Sequence, residues 1–269
     1  MEGKAWLKGM HEDKNMNMPR AALVTGGARR IGREIALSLA ADGWAVAVHY
    51  HGSAGAAGEV VAEIEALGGK AVALAADLAS EASVATLIPR AAAALGPLGC
   101  LVNNASVFEH DSARGATRAS WDAHMEVNLR APFLLIQMFA EQLPPEAAGA
   151  VVNMLDQRVW NPTPYFISYT LSKMGLWTLT QTLALALAPR IRVNGIGPGP
   201  TLPSTRQSQA QFERQCATVP LHHGTAPKEI AEAVRFILAS PSMTGQMIAL
   251  DGGQHLGWAQ HTGPSPLDE

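Results

Sequence analysis

Tyr169 and Lys173 stand four residues apart in YTLSK, a spacing that puts both side chains on one face of a helix. A tyrosine beside an ammonium group can act as a proton donor, because the positive charge stabilises the phenolate left behind. Asp156 lies thirteen residues before the tyrosine, at the end of the apolar run AVVNML (150–155). A neutral hydroxyl would be the safer hydrogen-bond donor there. The acid points either to a substrate that brings donors of its own or to a cap on the turn after its strand.

A second group of residues suits a nucleotide. TGGARRIGREIA (25–36) follows the apolar run AALVT (21–25). Gly26 and Gly27 permit close backbone approach, Gly32 permits close helix packing, and the helix that starts here offers unpaired N–H groups to a pyrophosphate. An NAD-type site would place an acid at the end of the second strand to hold the ribose diol. That strand instead ends His49-Tyr50-His51-Gly52-Ser53, with no acid before Glu59. An acid would repel a 2′-phosphate. Its absence, with Arg30, Ser53 and a following helix N-terminus, favours NADPH. Asp77, which ends the third strand, could accept a hydrogen bond from an adenine amino group or cap a turn.

These residues need a scaffold. Short apolar runs at 21–25, 44–50, 70–77, 100–104, 150–155, 191–197 and 247–253 read as buried parallel strands. Helical spacing fills 30–42, 54–67, 80–95, 120–142, 168–188 and 227–239. Ser53, Ser80 and Ser120 are candidate N-caps, and Gly43, Gly68 and Gly96 fall where helices should stop. The alternation predicts a single-domain, Rossmann-type, doubly wound α/β fold: about seven parallel strands with helices on both faces. Ligands then belong at the carboxyl ends of the strands. The Pro-, Ser-, Thr- and Gln-rich stretch 198–226 reads as an irregular substrate lid. Residues 1–18 read as a flexible extension, 19–257 as the domain and 258–269 as a tail containing Trp258.

Composition narrows the classes. The chain of 269 residues is 48% hydrophobic and 16% charged, with a net charge of −3, and it has no Lys/Arg cluster of five or more. Neither a nucleic-acid partner nor a membrane is expected. Cys100 and Cys216 are too few for a disulfide framework and suit a reducing cytoplasm. The His49/His51 and His222/His223 pairs lack ligand spacing, so no metal is expected. His222 or His223 could line the pocket or stand exposed in a loop.

From about residue 20 to 256 the chain resembles the short-chain dehydrogenase/reductase family. The motifs are TGGARRIG, Asp77-Leu78, NNAS (103–106), Asn128 in EVNLRAPF, YTLSK, RVNGIGPG (192–199) and LDGG (250–253). The resemblance implies that Asn128, Tyr169 and Lys173 form a proton relay, with Lys173 also binding the nicotinamide ribose. It implies cofactor contacts from Gly26, Arg29, Arg30, Ile31 and Gly32 in the first turn, and from His51 and Ser53 after the second strand. Asp77 and Leu78, then Asn104, Ala105 and Ser106, would continue the cofactor site, and Pro198 and Gly199 would flank the nicotinamide. Two positions depart from the common pattern: Arg30 replaces a glycine, and Asp156 replaces the usual serine. Both look like the pteridine reductases and dihydromonapterin reductases of this family, as do HYHGS (49–53), NNASVF (103–108) and LDGGQHL (250–256). Gly52 departs from that branch, where an arginine is frequent, and leaves the phosphate to Arg30, His51 and Ser53.

The aspartate then makes chemical sense. A pterin edge carries N–H and amino donors beside basic ring nitrogens, and a carboxylate can accept two charge-assisted bonds from it. A protonated carboxyl could instead resupply a proton through Tyr169. An ionised carboxylate about 4 Å from a developing alkoxide would oppose ketone reduction by about 4 kcal/mol at an effective dielectric near 20. By the same resemblance Phe108 stacks a flat pterin against the nicotinamide, unless it is a core residue packing its loop. Ser106 would touch substrate and cofactor phosphate, unless it is a simple turn serine. Arg30 would touch the phosphates and a substrate carbonyl. The expected activity is NADPH-dependent reduction of a dihydropterin, dihydromonapterin or dihydrofolate-like ring. The rivals are a 3-oxoacyl-carrier-protein reductase and a non-catalytic NADP(H) sensor. The apolar helices 120–142 and 168–188 resemble those that pair family members into homodimers or homotetramers.

Overall fold

The computed structural model describes residues 17–204 and 206–257. The tail, with Trp258, and residues 1–16 of the extension lie outside the described residues. Asn17 and Met18 belong to the body: Asn17 donates to the Glu146 carbonyl at 2.7 Å, and Met18 packs on the core.

Seven parallel strands form one sheet in the order β3-β2-β1-β4-β5-β6-β7. In chain order they are β1 (Ala21–Val24), β2 (Ala45–Tyr50), β3 (Ala71–Ala75), β4 (Cys100–Asn103), β5 (Gly149–Met154), β6 (Ile191–Pro198) and β7 (Met247–Leu250). The helices are α1 (Arg30–Ala41), α2 (Ala54–Ala66), α3 (Glu81–Val84), α4 (Leu87–Leu95), α5 (Arg118–Met125), α6 (Ala131–Gln142), α7 (Ile167–Ala186), α8 (Gln209–Thr218) and α9 (Pro227–Ala239). No helix among the described residues is long and apolar enough to cross a membrane.

Strand side chains alternate between two cores, which is why the strands read as continuous apolar runs. Val24, Val48, Val102 and Val152 pack beneath α1, α2 and α9. Leu23, Ala47, Leu101 and Val151 pack beneath α4, α6 and α7. The strand order reverses between β1 and β4, so the turn after β1 and the NNAS segment after β4 meet at the switch point.

Five expectations differ from the structure. The helix expected at 80–95 is two helices, because Pro89 has no N–H to bond the preceding turn and must sit in the first turn of a new helix. The helix expected at 120–142 is interrupted by a π-helical turn, Glu126–Arg130, with Pro132 opening α6. Ser120 is not the N-cap of α5. Thr117 is, and Ser120 closes a reciprocal pair of bonds at 3.0 and 3.1 Å. The stretch 198–226 is not irregular throughout: Ser208 and Gln211 form a capping box that starts α8. Ser80 caps α3 as expected, whereas Ser53 precedes α2 without a side-chain cap.

Candidate active site

Helix α7 carries Tyr169 and Lys173 on one buried face, directed at the carboxyl ends of β5 and β6. The Tyr169 hydroxyl donates to Asp156 Oδ2 at 2.7 Å. The other carboxylate oxygen accepts the Arg158 backbone N–H at 2.8 Å and starts a short 3₁₀ turn, Gln157–Val159. Capping and facing the tyrosine are thus done by different oxygens of one side chain. Lys173 Nζ donates to the Met154 carbonyl at 2.8 Å.

Burial sets the electrostatics. It pushes the Tyr169 phenol well above its ordinary value, and the Asp156 charge pushes the same way, with Arg158 opposing. The sequence expectation was a phenol lowered by Lys173. Burial dominates instead, and Lys173 Nζ, bonded to the Met154 carbonyl, lies 5.7 Å from the Tyr169 ring centre, within range of a phenolate formed there. Burial brings Lys173 down to about 8, opposed by Asp156.

Phe108 stacks on Phe166 with ring centroids 4.4 Å apart and meets the Tyr169 ring edge-on at 4.7 Å. Arg158 and Arg206 flank the pair at 5.5 and 5.3 Å from the Phe108 ring. Asn128 sits in the π-helical turn, buried behind this loop. Its Oδ1 accepts from Val107 N–H at 2.8 Å and Ser106 O–H at 3.2 Å; its Nδ2 donates to the Val107 carbonyl at 2.9 Å and Ser172 Oγ at 3.1 Å. All four of its side-chain hydrogen-bonding positions are engaged within the protein. The Asn128 side chain therefore holds the Phe108 loop against α7.

At the nucleotide end, Gly26 adopts φ +62°. A Cβ on Gly32 would lie 2.1 Å from the Gly26 carbonyl and 2.6 Å from Asn104 Nδ2. The N-terminus of α1 has no side-chain cap and no acid in its first turn, and α2 has neither as well. Both present free N–H groups of the kind that bind phosphate. His51 and Ser53 stand at the start of α2. Asp77 uses Oδ1 to accept the Ala79 N–H at 2.9 Å, the turn-capping reading, and leaves its other oxygen available.

A cavity of about 280 Å³ joins Arg30, Ile31, Asn104, Ser106, Phe108, Asp156, Tyr169, Lys173, Pro198 and Gly199. Gly26, Arg29, Gly32, His51, Ser53, Asp77, Leu78, Ala105 and Asn128 are not among its lining residues. Most of these lie along the carboxyl edge of the sheet between β4 and β3. Leu202, Gln207, Phe212 and Gln215, from the stretch 198–226, line the far wall. Arg30 donates to the Pro203 and Leu202 carbonyls at 2.9 and 3.2 Å, and Arg206 bonds the Phe108 carbonyl and Glu109, each at 2.8 Å. His222 and His223 are exposed and do not line the cavity.

Several residues escaped the sequence reading. His49 is buried, takes the Gly26 N–H on Nδ1 at 3.0 Å and faces the Ala76 carbonyl with Nε2 at 3.2 Å. Burial lowers it to about 4, so it stays neutral and holds the glycine-rich turn. Arg158, Gln157 and Gln254 line the cavity, and no local pattern distinguishes them from surface residues.

The short chain dehydrogenase family model matches residues 20–214. A solved structure described as FolM alternative dihydrofolate reductase 1 from Brucella canis, complexed with NADP, is 47% identical with a TM-score of 0.88. The match covers 91% of this chain and 98% of that one. A blue fluorescent protein from a metagenomic library, in complex with NADPH, is 32% identical with a TM-score of 0.82 and covers 89% and 98%. The 3-oxoacyl-[acyl-carrier-protein] reductase FabG of Staphylococcus aureus is 33% identical over 90% of this chain and all of that protein.

Proposed function

Because the chain belongs to the short-chain dehydrogenase family, we propose that it is an NADPH-dependent reductase of a pteridine, acting on a dihydropterin, dihydromonapterin or dihydrofolate-like ring. The observation that carries this reading is Asp156 Oδ2 at 2.7 Å from the Tyr169 hydroxyl, inside a cavity whose side wall is the Phe108 ring. A carboxylate there matches a ring edge rich in N–H donors and opposes an alkoxide.

The cofactor fits the residues present. The crowded Gly26–Gly32–Asn104 contact leaves no room for a side chain between turn and helix, and the uncapped starts of α1 and α2 suit the pyrophosphate and the 2′-phosphate. Arg29, Arg30, Ile31, His51 and Ser53 would surround the phosphates, and Asp77 and Leu78 the adenine. Asn104, Ala105, Ser106, Pro198 and Gly199 would hold the nicotinamide end. When bound, NADPH supplies the hydride to a ring carbon. Tyr169 delivers the proton that must reach nitrogen, Lys173 supports the phenolate and holds the ribose, and Asp156 orients the ring edge. Phe108 stacks the ring, and Arg30 reaches its carbonyl side. Gly32→Ala should weaken NADPH binding by about tenfold to hundredfold, read by fluorescence titration, because overpacking of this kind costs about 1–3 kcal/mol.

The alternative with specific support is a carbonyl reductase, given the identity to the FabG proteins. Initial rates on a dihydropterin and on acetoacetyl thioesters separate the two. We expect the dihydropterin to be consumed, and methotrexate to bind the NADPH-loaded protein. Consumption of thioester alone, with no pteridine binding, overturns the reading. NADPH binding without any oxidation would mark a sensor instead. Exposed Trp121, Leu171 and Met174 on α5 and α7 support assembly into dimers or tetramers through these helices.

A further inference from the structure

Helix α7 begins without a cap of its own. Its N-cap residue, Phe166, adopts φ +56°, a strained conformation for a bulky side chain, and makes no side-chain cap bond. The missing acceptor comes from the loop after Phe108. Asp111 receives the Ser168 N–H on both carboxylate oxygens, at 3.3 and 3.4 Å, and the Ser168 hydroxyl on Oδ2. Its backbone carbonyl takes the Phe166 N–H at 2.9 Å, and Ser112 bridges to Tyr165 beside it.

His124 on α5 completes the connection. The Glu109 N–H points at His124 Nε2 at 3.0 Å, so that nitrogen must be unprotonated. Nδ1 then carries the hydrogen and donates to Ser168 Oγ at 2.7 Å, and the serine passes its own hydrogen to Asp111. Asp111, His124 and Ser168 are 3%, 0% and 0% exposed, so bulk solvent is kept from these bonds. The chain of donors runs in one direction and joins three separate elements: the loop bearing Phe108, helix α5, and the first turn of the helix bearing Tyr169. The ends of the connection meet in the site, where the Phe108 ring lies edge-on to the Tyr169 ring at 4.7 Å.

We propose that Asp111, Ser168 and His124 are positioning residues, a buried clamp that fixes the Phe108 ring and the Tyr169 hydroxyl relative to each other. None of the three lines the cavity, so each acts through the residues it holds. The clamp rests on the reading of Tyr169 as the proton donor. The nucleotide end, built on β1, β2 and β3, lies outside the connection.

The test uses Ser168→Ala, His124→Phe, Asp111→Ala and the double variant Ser168→Ala/His124→Phe in the full chain. Each single change should lower kcat/KM by about tenfold or more, since misplacements on the order of 1 Å have that effect. NADPH affinity should stay within about twofold, and the double variant should match the worse single variant, as residues acting as one unit are not additive. Asp111→Asn keeps one carbonyl oxygen, whose two lone pairs can take the Ser168 N–H and hydroxyl, and should restore part of the loss seen with Asp111→Ala. Folded variants with unchanged kcat/KM, losses that multiply in the double variant, or NADPH affinity falling in step with kcat/KM would each overturn the clamp. If Asp111→Ala does not fold, Ser168→Ala, which removes one oxygen, decides alone. All ratios are taken against the unaltered enzyme on whichever substrate it consumes. A protein that accepts only thioesters therefore defeats the pteridine reading and leaves the clamp testable.

Discussion

Replacing Tyr169 with phenylalanine is expected to lower turnover by about 10²–10⁴-fold, the usual contribution of a positioned proton donor, with NADPH affinity nearly unchanged. The phenol is buried, bonded to Asp156 and surrounded by the rings of Phe108 and His124, so the variant keeps the packing and loses one hydrogen bond. Stopped-flow oxidation of NADPH with a direct binding titration separates the two quantities. The unaltered enzyme should also show a pH dependence set by Lys173. Burial brings its ammonium down to about 8, so it is charged below that pH and loses its charge above it. Support for the phenolate is then withdrawn as pH rises through about 8, and the rate should fall there. A Lys173→Met variant should lack that limb. A Tyr169→Phe enzyme that retains full turnover would remove the tyrosine from the chemistry.

The second large effect belongs to Asp156→Ser. Serine caps short helical turns about as well as aspartate, so the Arg158 N–H keeps an acceptor and the 3₁₀ turn should survive. What disappears is the carboxylate oxygen that faces Tyr169 at 2.7 Å and pairs with Arg158 Nη1 at 3.4 Å. Bonds to a charged group contribute about 1.5–3 kcal/mol, so dihydropterin turnover should fall by about tenfold to hundredfold while NADPH affinity holds. Acetoacetyl thioester reduction should hold or rise, because the repulsion of a developing alkoxide is gone. Equal loss of turnover and cofactor binding would assign the aspartate to structure.

How much of this was legible in the sequence depends on the distance over which each feature is determined. The strands were readable because a parallel sheet covered on both faces must be apolar throughout, as Val24, Val48, Val102 and Val152 are. The Tyr169/Lys173 pair was readable because four residues is one helical turn. Errors came where two local signals compete. Pro89 splits a helix whose apolar spacing runs straight through it, and Thr117 takes the cap that Ser120 could have supplied. The Ser208–Gln211 spacing matches a capping box, yet the surrounding Pro, Ser, Thr and Gln favour an irregular reading of that stretch. Nothing local announces that Asp111 caps a helix 57 residues away, or that His124 reaches Ser168 across 44. Such pairings exist only once the sheet order is fixed.

Arg30 carries one more consequence. Its backbone sits at φ +53°, where glycine would rest without strain, while its guanidinium holds the carbonyls of Leu202 and Pro203. A residue able to relax that backbone has no arm long enough to reach the opposite bank, and any arm long enough must endure the twist. Thermal robustness and enclosure of the pocket therefore pull against each other at a single position, where selection for a hotter-running protein would favour a more open one.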